Sequence, residues 1–476
     1  MIGDISRTTT NNQDYILTKK LKVHSIALGC ARNQVDSETM AYLIKKEGWN
    51  FEQDINKADV IIINTCAFIE DAKKESIDNI LEALSIKSQT GSMVVVCGCF
   101  AQRYAKQVEK DFLDVDLFIG VEQYPKIVEL IKERYQRIQS ETDIIAGRIY
   151  TRRCPSLYEK KLEKINTLSK KSAYVKIADG CRHRCSFCAI PLIRGSLKSV
   201  PEQYIVDEID SLVSGGVVEI NLIAQDLAAY GMDLKRGENL YKLLDKLSRF
   251  ENIWIRLLYY YPEYINKDLI SCFKNYPNIV KYLDIPVQHI SDRVLERMNR
   301  SINSSKLIET LDYLKSEIKD ISLRTSLLVG FPGETDDDVK QLVDFVSKGY
   351  FDNLGCFSYS REENTPAYNY TDQIEEDKKT ERVKMVMETQ KRVLEKKMSQ
   401  RIGSVLDVLV EGRNEPDHYE QFTYTGRAYF QAPEVDGLIY IKDSEDNKIR
   451  EDGIYRVKII QARDYDLVGV FEDTGR

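Results

Sequence analysis

The sequence predicts a multidomain α/β protein: an N-terminal parallel α/β sheet domain, a central partial (β/α)6 barrel of TIM-like design, and a small all-β barrel at the C-terminal end. Three observations carry that prediction. Apolar strand-like runs alternate with amphipathic segments from Leu21 to about Arg137. The alternation resumes at Ser172 and continues through about six β/α units. From about Ser399 the pattern changes to short alternating runs broken by Gly, Asp, Asn and Pro. Strands that alternate with helices form parallel sheets, because a parallel pair needs a crossover and the helix supplies it. Short alternating runs separated by turn residues form antiparallel sheets or barrels.

In the first region VHSIAL (23–28), VIIIN (60–64) and MVVVC (93–97) read as buried strands, each followed by a helix, near 34–47, 70–85 and 101–111. Residues 139–171 are polar and rich in basic pairs, including Arg152 with Arg153 and Lys160 with Lys161, and read as a solvated linker. Strands of the central region are expected at 173–178, 217–223, 253–258, 281–285, 321–329 and 354–359. Helices are expected near 202–214, 238–249, 264–275, 304–317 and 336–348, and a long charged helix at about 376–400 leads out of the barrel. Six units make an open barrel, since closure takes eight. The final runs VLDVLV, GLIYI, YRVKII and LVGVF predict a five-stranded barrel. The domains are therefore 21–138, 172–398 and 399–470, with the linker at 139–171.

No apolar run is long enough to span a membrane, and the polar first twenty residues lack the apolar core of a signal peptide, so the expected location is the cytoplasm. Net charge is −7, which argues against bulk nucleic-acid binding. Residues 399–476 hold 10 Lys+Arg against 16 Asp+Glu, a net of −6, so most of the negative charge lies in the last domain.

Ten cysteines are too few for a disulfide scaffold, and clustered thiols in a reducing compartment point to metal or catalysis. DGCRHRCSFC (179–188) puts Cys181, Cys185 and Cys188 in one loop after the first strand of the central region, where barrel chemistry sits. A structural zinc wants four ligands, and His183, the local fourth candidate, lies between two of the thiols in a loop too tight to wrap one ion. A disulfide leaves one thiol over. A [4Fe–4S] cluster on three thiolates satisfies the count and leaves one iron open for a substrate or cofactor. In the first domain Cys30, Cys66, Cys97 and Cys99 lie at or near strand ends, and adjacent parallel strands bring such ends together. They read either as buried core thiols or as a second three-thiolate site. GFPGET (330–335) follows a strand, and Gly330 and Gly333 suit close backbone approach. LIAQD (222–226) sets Gln225 and Asp226 at the barrel mouth, as ligand contacts or strand-end caps.

Cys-x3-Cys-x-aromatic-Cys, with Phe187 in the aromatic place, resembles the signature of the radical S-adenosylmethionine (SAM) enzymes. The resemblance implies a radical SAM barrel whose open iron binds SAM, and an electron from the cluster then cleaves SAM to a 5′-deoxyadenosyl radical. It implies cofactor-borne chemistry with no catalytic acid or base. It also implies SAM contacts at Phe187, Gly330 and Gly333, to which Gln225 is added by its place at the barrel mouth. The first domain resembles that of the methylthiotransferases, which implies a second [4Fe–4S] cluster on Cys30, Cys66 and Cys99, with Cys97 a small core residue. Cys154, Cys272 and Cys356 match no motif and read as structural. The last domain resembles the TRAM barrel. LGCARNQVDSE, NTCAFIEDAKKESID and GRAYFQAPEVDGLIYI resemble the ribosomal-protein branch; the tRNA branch has Gln-Met-Asn where this chain has Ala31, Arg32 and Asn33. Phe430 and Gln431 depart from the small and acidic residues of that branch. The resemblance implies methylthiolation of the β-carbon of an aspartate in the small-subunit ribosomal protein S-twelve, with a tRNA adenosine as the alternative acceptor. An acidic last barrel suits a basic protein and repels tRNA. The motifs assign neither the electron donor nor the sulfur donor.

Overall fold

The computed structural model describes residues 20–139, 147–154, 157–235, 237–413, 422–442 and 453–472. The polar first twenty residues, read as a tail, lie outside them except for Lys20. The chain divides into two compact units, one of residues 1–165 with Leu192–Arg194, the other of 166–191 and 195–476.

The first unit is built on Val- and Ile-rich strands. β1 (Lys22–Ala27), β2 (Asn50–Phe51), β3 (Val60–Thr65), β4 (Met93–Gly98), β5 (Leu117–Ile119) and β6 (Ile149–Tyr150) form one parallel sheet in the order β2-β1-β3-β4-β5-β6. β3 and β4 are buried at every residue, as strands covered on both faces must be. Helices Ala31–Lys46, Glu70–Thr90, Cys99–Val108 and Ile127–Gln139 make the crossovers. Val23, Val60, Ile62, Val95 and Leu117 of the strands pack with Ile127 and Ile131 in one apolar core.

The solvated reading of residues 139–171 needs correction. Ile149–Tyr150 add the sixth strand. Arg153 donates to Glu122 at 3.0 Å and to the Ile193 carbonyl at 2.7 Å, and Lys164 pairs with buried Glu38 at 2.8 Å. Charged residues suggested exposure, but Arg153 and Lys164 find acidic partners far away in sequence, which local composition does not reveal.

The second unit holds a six-stranded parallel sheet and a closed barrel. β7 (Ser172–Lys176) starts the sheet; β8 (Ala178–Asp179) and β9 (Lys198–Ser199) pair separately beside the thiol loop. β10 (Glu219–Ile223), β11 (Trp254–Leu257), β12 (Ile279–Asp284), β13 (Ser322–Val329) and β14 (Asn353–Ser358) complete the order β14-β13-β12-β11-β10-β7, open at both edges. Helix Glu376–Ser399 packs on β14 and leads to the barrel β15-β16-β17-β19-β18, formed by β15 (Val405–Arg413), β16 (Tyr424–Ala428), β17 (Ile439–Lys442), β18 (Gly453–Arg463) and β19 (Asp466–Phe471).

The small barrel is anchored by buried charge. Arg427 ion-pairs with Glu411 of its own barrel and with Glu219 at the start of β10; Arg256 of β11 also holds Glu219, at 2.8 Å. Burial alone would raise the Glu219 carboxyl, but Arg427 and Arg256 hold it well below the usual carboxylate range. Tyr282 donates to Asp436 at 2.7 Å and Tyr174 to Glu434 at 3.0 Å. Ser172 and Glu219 begin their strands, so this anchor leaves the carboxyl-end loops free for chemistry.

Candidate metal centres

Strand register gathers one set of thiols. Ala27 of β1 lies opposite Asn64 of β3, and Asn64 opposite Cys97 of β4. Cys30, Cys66 and Cys99 each follow these positions by no more than three residues. Burial pushes the Cys66 and Cys99 thiols up, Cys99 to about 12, and the other thiols of the set push the same way. Cys30 moves oppositely. Burial would raise it, but Arg32, Arg194 and the backbone N–H groups of Asn33 and Arg32 outweigh that and hold the thiol below its ordinary value. Cys99 opens helix Cys99–Val108, and Cys30 caps helix Ala31–Lys46, where amide donors and the helix dipole favour thiolate.

The loops are tied by side chains that sequence reasoning did not single out. Asn33, fully buried, donates to the carbonyls of Leu28 at 2.7 Å and Thr65 at 3.1 Å. Asn64 donates back to the Asn33 carbonyl at 2.8 Å. The Ser76 hydroxyl donates to the Cys66 carbonyl at 2.8 Å. Arg194 pairs with buried Asp36 at 2.9 Å, reaches Asn33 Oδ1 at 3.2 Å and lies 3.9 Å from the Cys99 sulfur. Gly98 has φ +92°, and a Cβ there would fall 2.3 Å from Asn64 Oδ1 and 2.6 Å from the Thr65 carbonyl oxygen, so only glycine fits before Cys99. Cys97 sits inside β4 with no exposure, its sulfur 3.8 Å from Met40 Sδ and 3.5 Å from the Ile63 carbonyl. Burial raises its thiol far above the ordinary range.

The second set occupies one loop. Gly180, at φ +73°, turns the chain out of β8 against the Ser196 carbonyl, and Cys181 N–H donates to the Gly195 carbonyl at 3.1 Å. Cys188 N–H donates to Cys185 O, and Ser186 is fastened through Arg297 O and Met298 O. His183 is held within the loop: its Nε2 bonds Asp226 at 2.8 Å and its ring stacks on Tyr261 at 3.7 Å. Cys272 and Cys356 lie apart on helix Lys267–Asn275 and on β14, their thiols pushed up by burial to about 11 and 12. Half-buried Cys154 is held by its N–H to the Glu122 carboxylate.

The remaining sequence-derived residues fall around this loop. Gln225 donates to Asp179 at 2.9 Å, while its carbonyl oxygen is buried without a partner. Phe187 packs, partly buried, against an apolar cluster that includes Val294, Met298 and Phe331. Gly330 (φ +70°) and Gly333 (φ +80°) meet protein rather than open space: a Cβ would fall 2.3 Å from Lys379 Cγ in one case and from Asp372 Oδ2 in the other. Asp226 also caps the turn Leu227–Ala229.

Among the described residues, no three His, Cys, Asp or Glu side chains are arranged to hold a single metal ion. The thiolates of a [4Fe–4S] cluster each take a different iron, so they ring the inorganic core instead of meeting at a point. Three cysteines per set, glycines that let the chain pass close, and nearby cations match that donor chemistry.

Three family models match: Uncharacterized protein family UPF0004 over residues 22–120, the Radical SAM superfamily over 175–346 and the TRAM domain over 402–471. The chain is 43% identical to the ribosomal protein uS12 methylthiotransferase RimO of Acetivibrio thermocellus over 94% of its own length and 98% of the relative's. It is 42% identical to the RimO of Geobacter sulfurreducens, with the same coverage. Among solved structures, the radical SAM methyltransferase TsrM of Kitasatospora setae, with cobalamin and a [4Fe–4S] cluster bound, superposes with a TM-score of 0.54 over 73% of this chain and 77% of that one. The cobalamin-dependent radical SAM enzyme OxsB gives 0.52 over 79% of this chain and 57% of that one. At 15% and 13% identity these two establish the shared fold.

Proposed function

The chain belongs to the ribosomal protein uS12 methylthiotransferase family of radical SAM enzymes, and on that premise we propose that it places a methylthio group on the β-carbon of an aspartate of uS12. Bound [4Fe–4S] clusters and SAM supply the radical chemistry that an unactivated carbon requires. Cys181, Cys185 and Cys188 are assigned to the cluster that serves SAM, and Cys30, Cys66 and Cys99 to a second cluster that serves sulfur. The observation supporting the second assignment is the matched register of β1, β3 and β4, which aligns three cysteine-bearing strand ends. Beside the first cluster, the orphaned Gln225 carbonyl suits a donor on SAM, and Phe187 offers an apolar edge. Gly330 and Gly333 are assigned to a loop that approaches SAM, and their missing side chains let it pack against Lys379 and Asp372.

A protein acceptor fits the charge of the last barrel. Its net charge is −6, and Arg427, only 1% exposed, is spent on two glutamates. A groove for tRNA needs its cations on the surface; a basic ribosomal protein is attracted to an acidic face. The proposed location is the cytoplasm, with a ribosomal acceptor; among the described residues no helix is long and apolar enough to cross a membrane. Mass spectrometry of uS12 and of bulk tRNA from a strain lacking this gene tests the reading. Loss of a methylthio mass from the uS12 aspartate is expected. Intact uS12 modification with loss of methylthioadenosine in tRNA would replace this acceptor by the other.

A further inference from the structure

Beside Cys185 three side chains from separate loops form a layered stack that the sequence motifs do not account for. His183, Tyr261 and Arg300 lie face to face: the His183 and Tyr261 rings are 3.7 Å apart at 6°, and the Arg300 guanidinium carbon sits 3.8 Å over the Tyr261 ring. Tyr261 and Arg300 are 7% and 8% exposed, so this is an interior arrangement. The stack is pinned at both ends. His183 Nε2 bonds Asp226, whose other oxygen accepts from Tyr261 N–H at 3.3 Å, and Arg300 donates to the Pro286 carbonyl at 3.0 Å. The Tyr261 hydroxyl lies 3.6 Å from the Cys185 sulfur, and Arg300 NH1 lies 3.9 Å from the same atom. A sulfur bound to iron is a thiolate and can only accept, so both groups become donors to it.

We propose that Tyr261 and Arg300 are positioning residues that raise the reduction potential of the cluster on Cys181, Cys185 and Cys188, by hydrogen bonding to the Cys185 thiolate and placing a buried positive charge beside it, with His183 and Asp226 holding Tyr261 in place. The inference rests on the ligand assignment above. A low-potential one-electron donor reduces the cluster from its 2+ to its 1+ state; one electron enters and no bond or proton is exchanged. Adding negative charge to the cluster is easier next to a guanidinium and a hydroxyl donor, because both stabilise the more electron-rich thiolate. Low dielectric strengthens the effect, since the stack is buried.

The test uses the full chain with Cys30, Cys66 and Cys99 changed to Ala, so that only the barrel cluster reports. After anaerobic reconstitution, reduction with dithionite and mediators is followed by electron paramagnetic resonance. Tyr261→Phe and Arg300→Met should each shift the potential downward, by roughly a tenfold loss of reduced cluster at fixed poise, which is ~59 mV for one electron. Arg300→Lys should recover part of the shift by keeping the charge. Tyr261→Phe removes one hydroxyl and keeps the stack, so it decides the matter if Arg300→Met fails to fold. Iron bound at parental levels with an unmoved or raised potential in Tyr261→Phe overturns the inference alone. A parent that binds no iron overturns the ligand assignment and the inference with it.

Discussion

Cys181, Cys185 and Cys188 share one loop between β8 and a short helix, whereas Cys30, Cys66 and Cys99 sit at the ends of three strands that become neighbours only when the sheet forms. The first set is fixed by local backbone bonds, such as Cys188 N–H to Cys185 O and Cys181 N–H to Gly195 O. The second depends on cross-loop ties through Asn33, Asn64 and Ser76, and on parallel register. A set carried on one loop keeps its spacing through chain connectivity, even though Arg297 and Met298 also fasten that loop. One held by tertiary structure fails when any of its three loops moves.

Removing a thiol should separate the two sets most sharply. Cys185→Ala is expected to reduce 5′-deoxyadenosine formation to background while about half of the iron remains, measured by chromatography and iron analysis. Normal SAM cleavage by that variant would break the assignment. Cys99→Ala should still cleave SAM yet leave no methylthio group on uS12 by mass spectrometry. Gly98→Ala attacks the dispersed set through the backbone. It forces a side chain into φ +92° against Asn64 and Thr65, at a cost of about 1–3 kcal/mol. The expected outcome is loss of first-unit iron with SAM cleavage retained. The smallest effect is expected from Cys97→Ala, about 1 kcal/mol of stability from a core thiol, read as a modest drop in the denaturation midpoint with both activities kept. If Cys97→Ala abolished sulfur transfer and Cys99→Ala did not, the choice between these neighbours would be reversed.

The same contrast explains what the sequence made legible. Continuous apolar runs such as VIIIN and MVVVC, and the alternating SLRTSLLV, became strands close to where the sequence pattern puts them. The local thiol loop was readable by counting donors. The dispersed set was readable only in outline, because register decides which strand-end thiols meet. Short elements escaped notice: β5 and β6 have three and two residues and carry little periodic signal. The polar supports also escaped. Asn33, Arg194, Tyr261 and Arg300 are buried with partners from distant segments, and nothing in their local sequence distinguishes them from exposed polar residues. Gly330 and Gly333 were legible as special positions, and the structure adds that a Cβ there would strike Lys379 and Asp372.

Iron per chain, measured after anaerobic reconstitution of the parent and of two triple Cys→Ala variants, tests most directly whether the two sets hold separate clusters. Two [4Fe–4S] clusters predict about eight irons in the parent and about four in the variant lacking either set. A parent with about four irons, all lost when Cys181, Cys185 and Cys188 are replaced and none lost when Cys30, Cys66 and Cys99 are, would contradict the account.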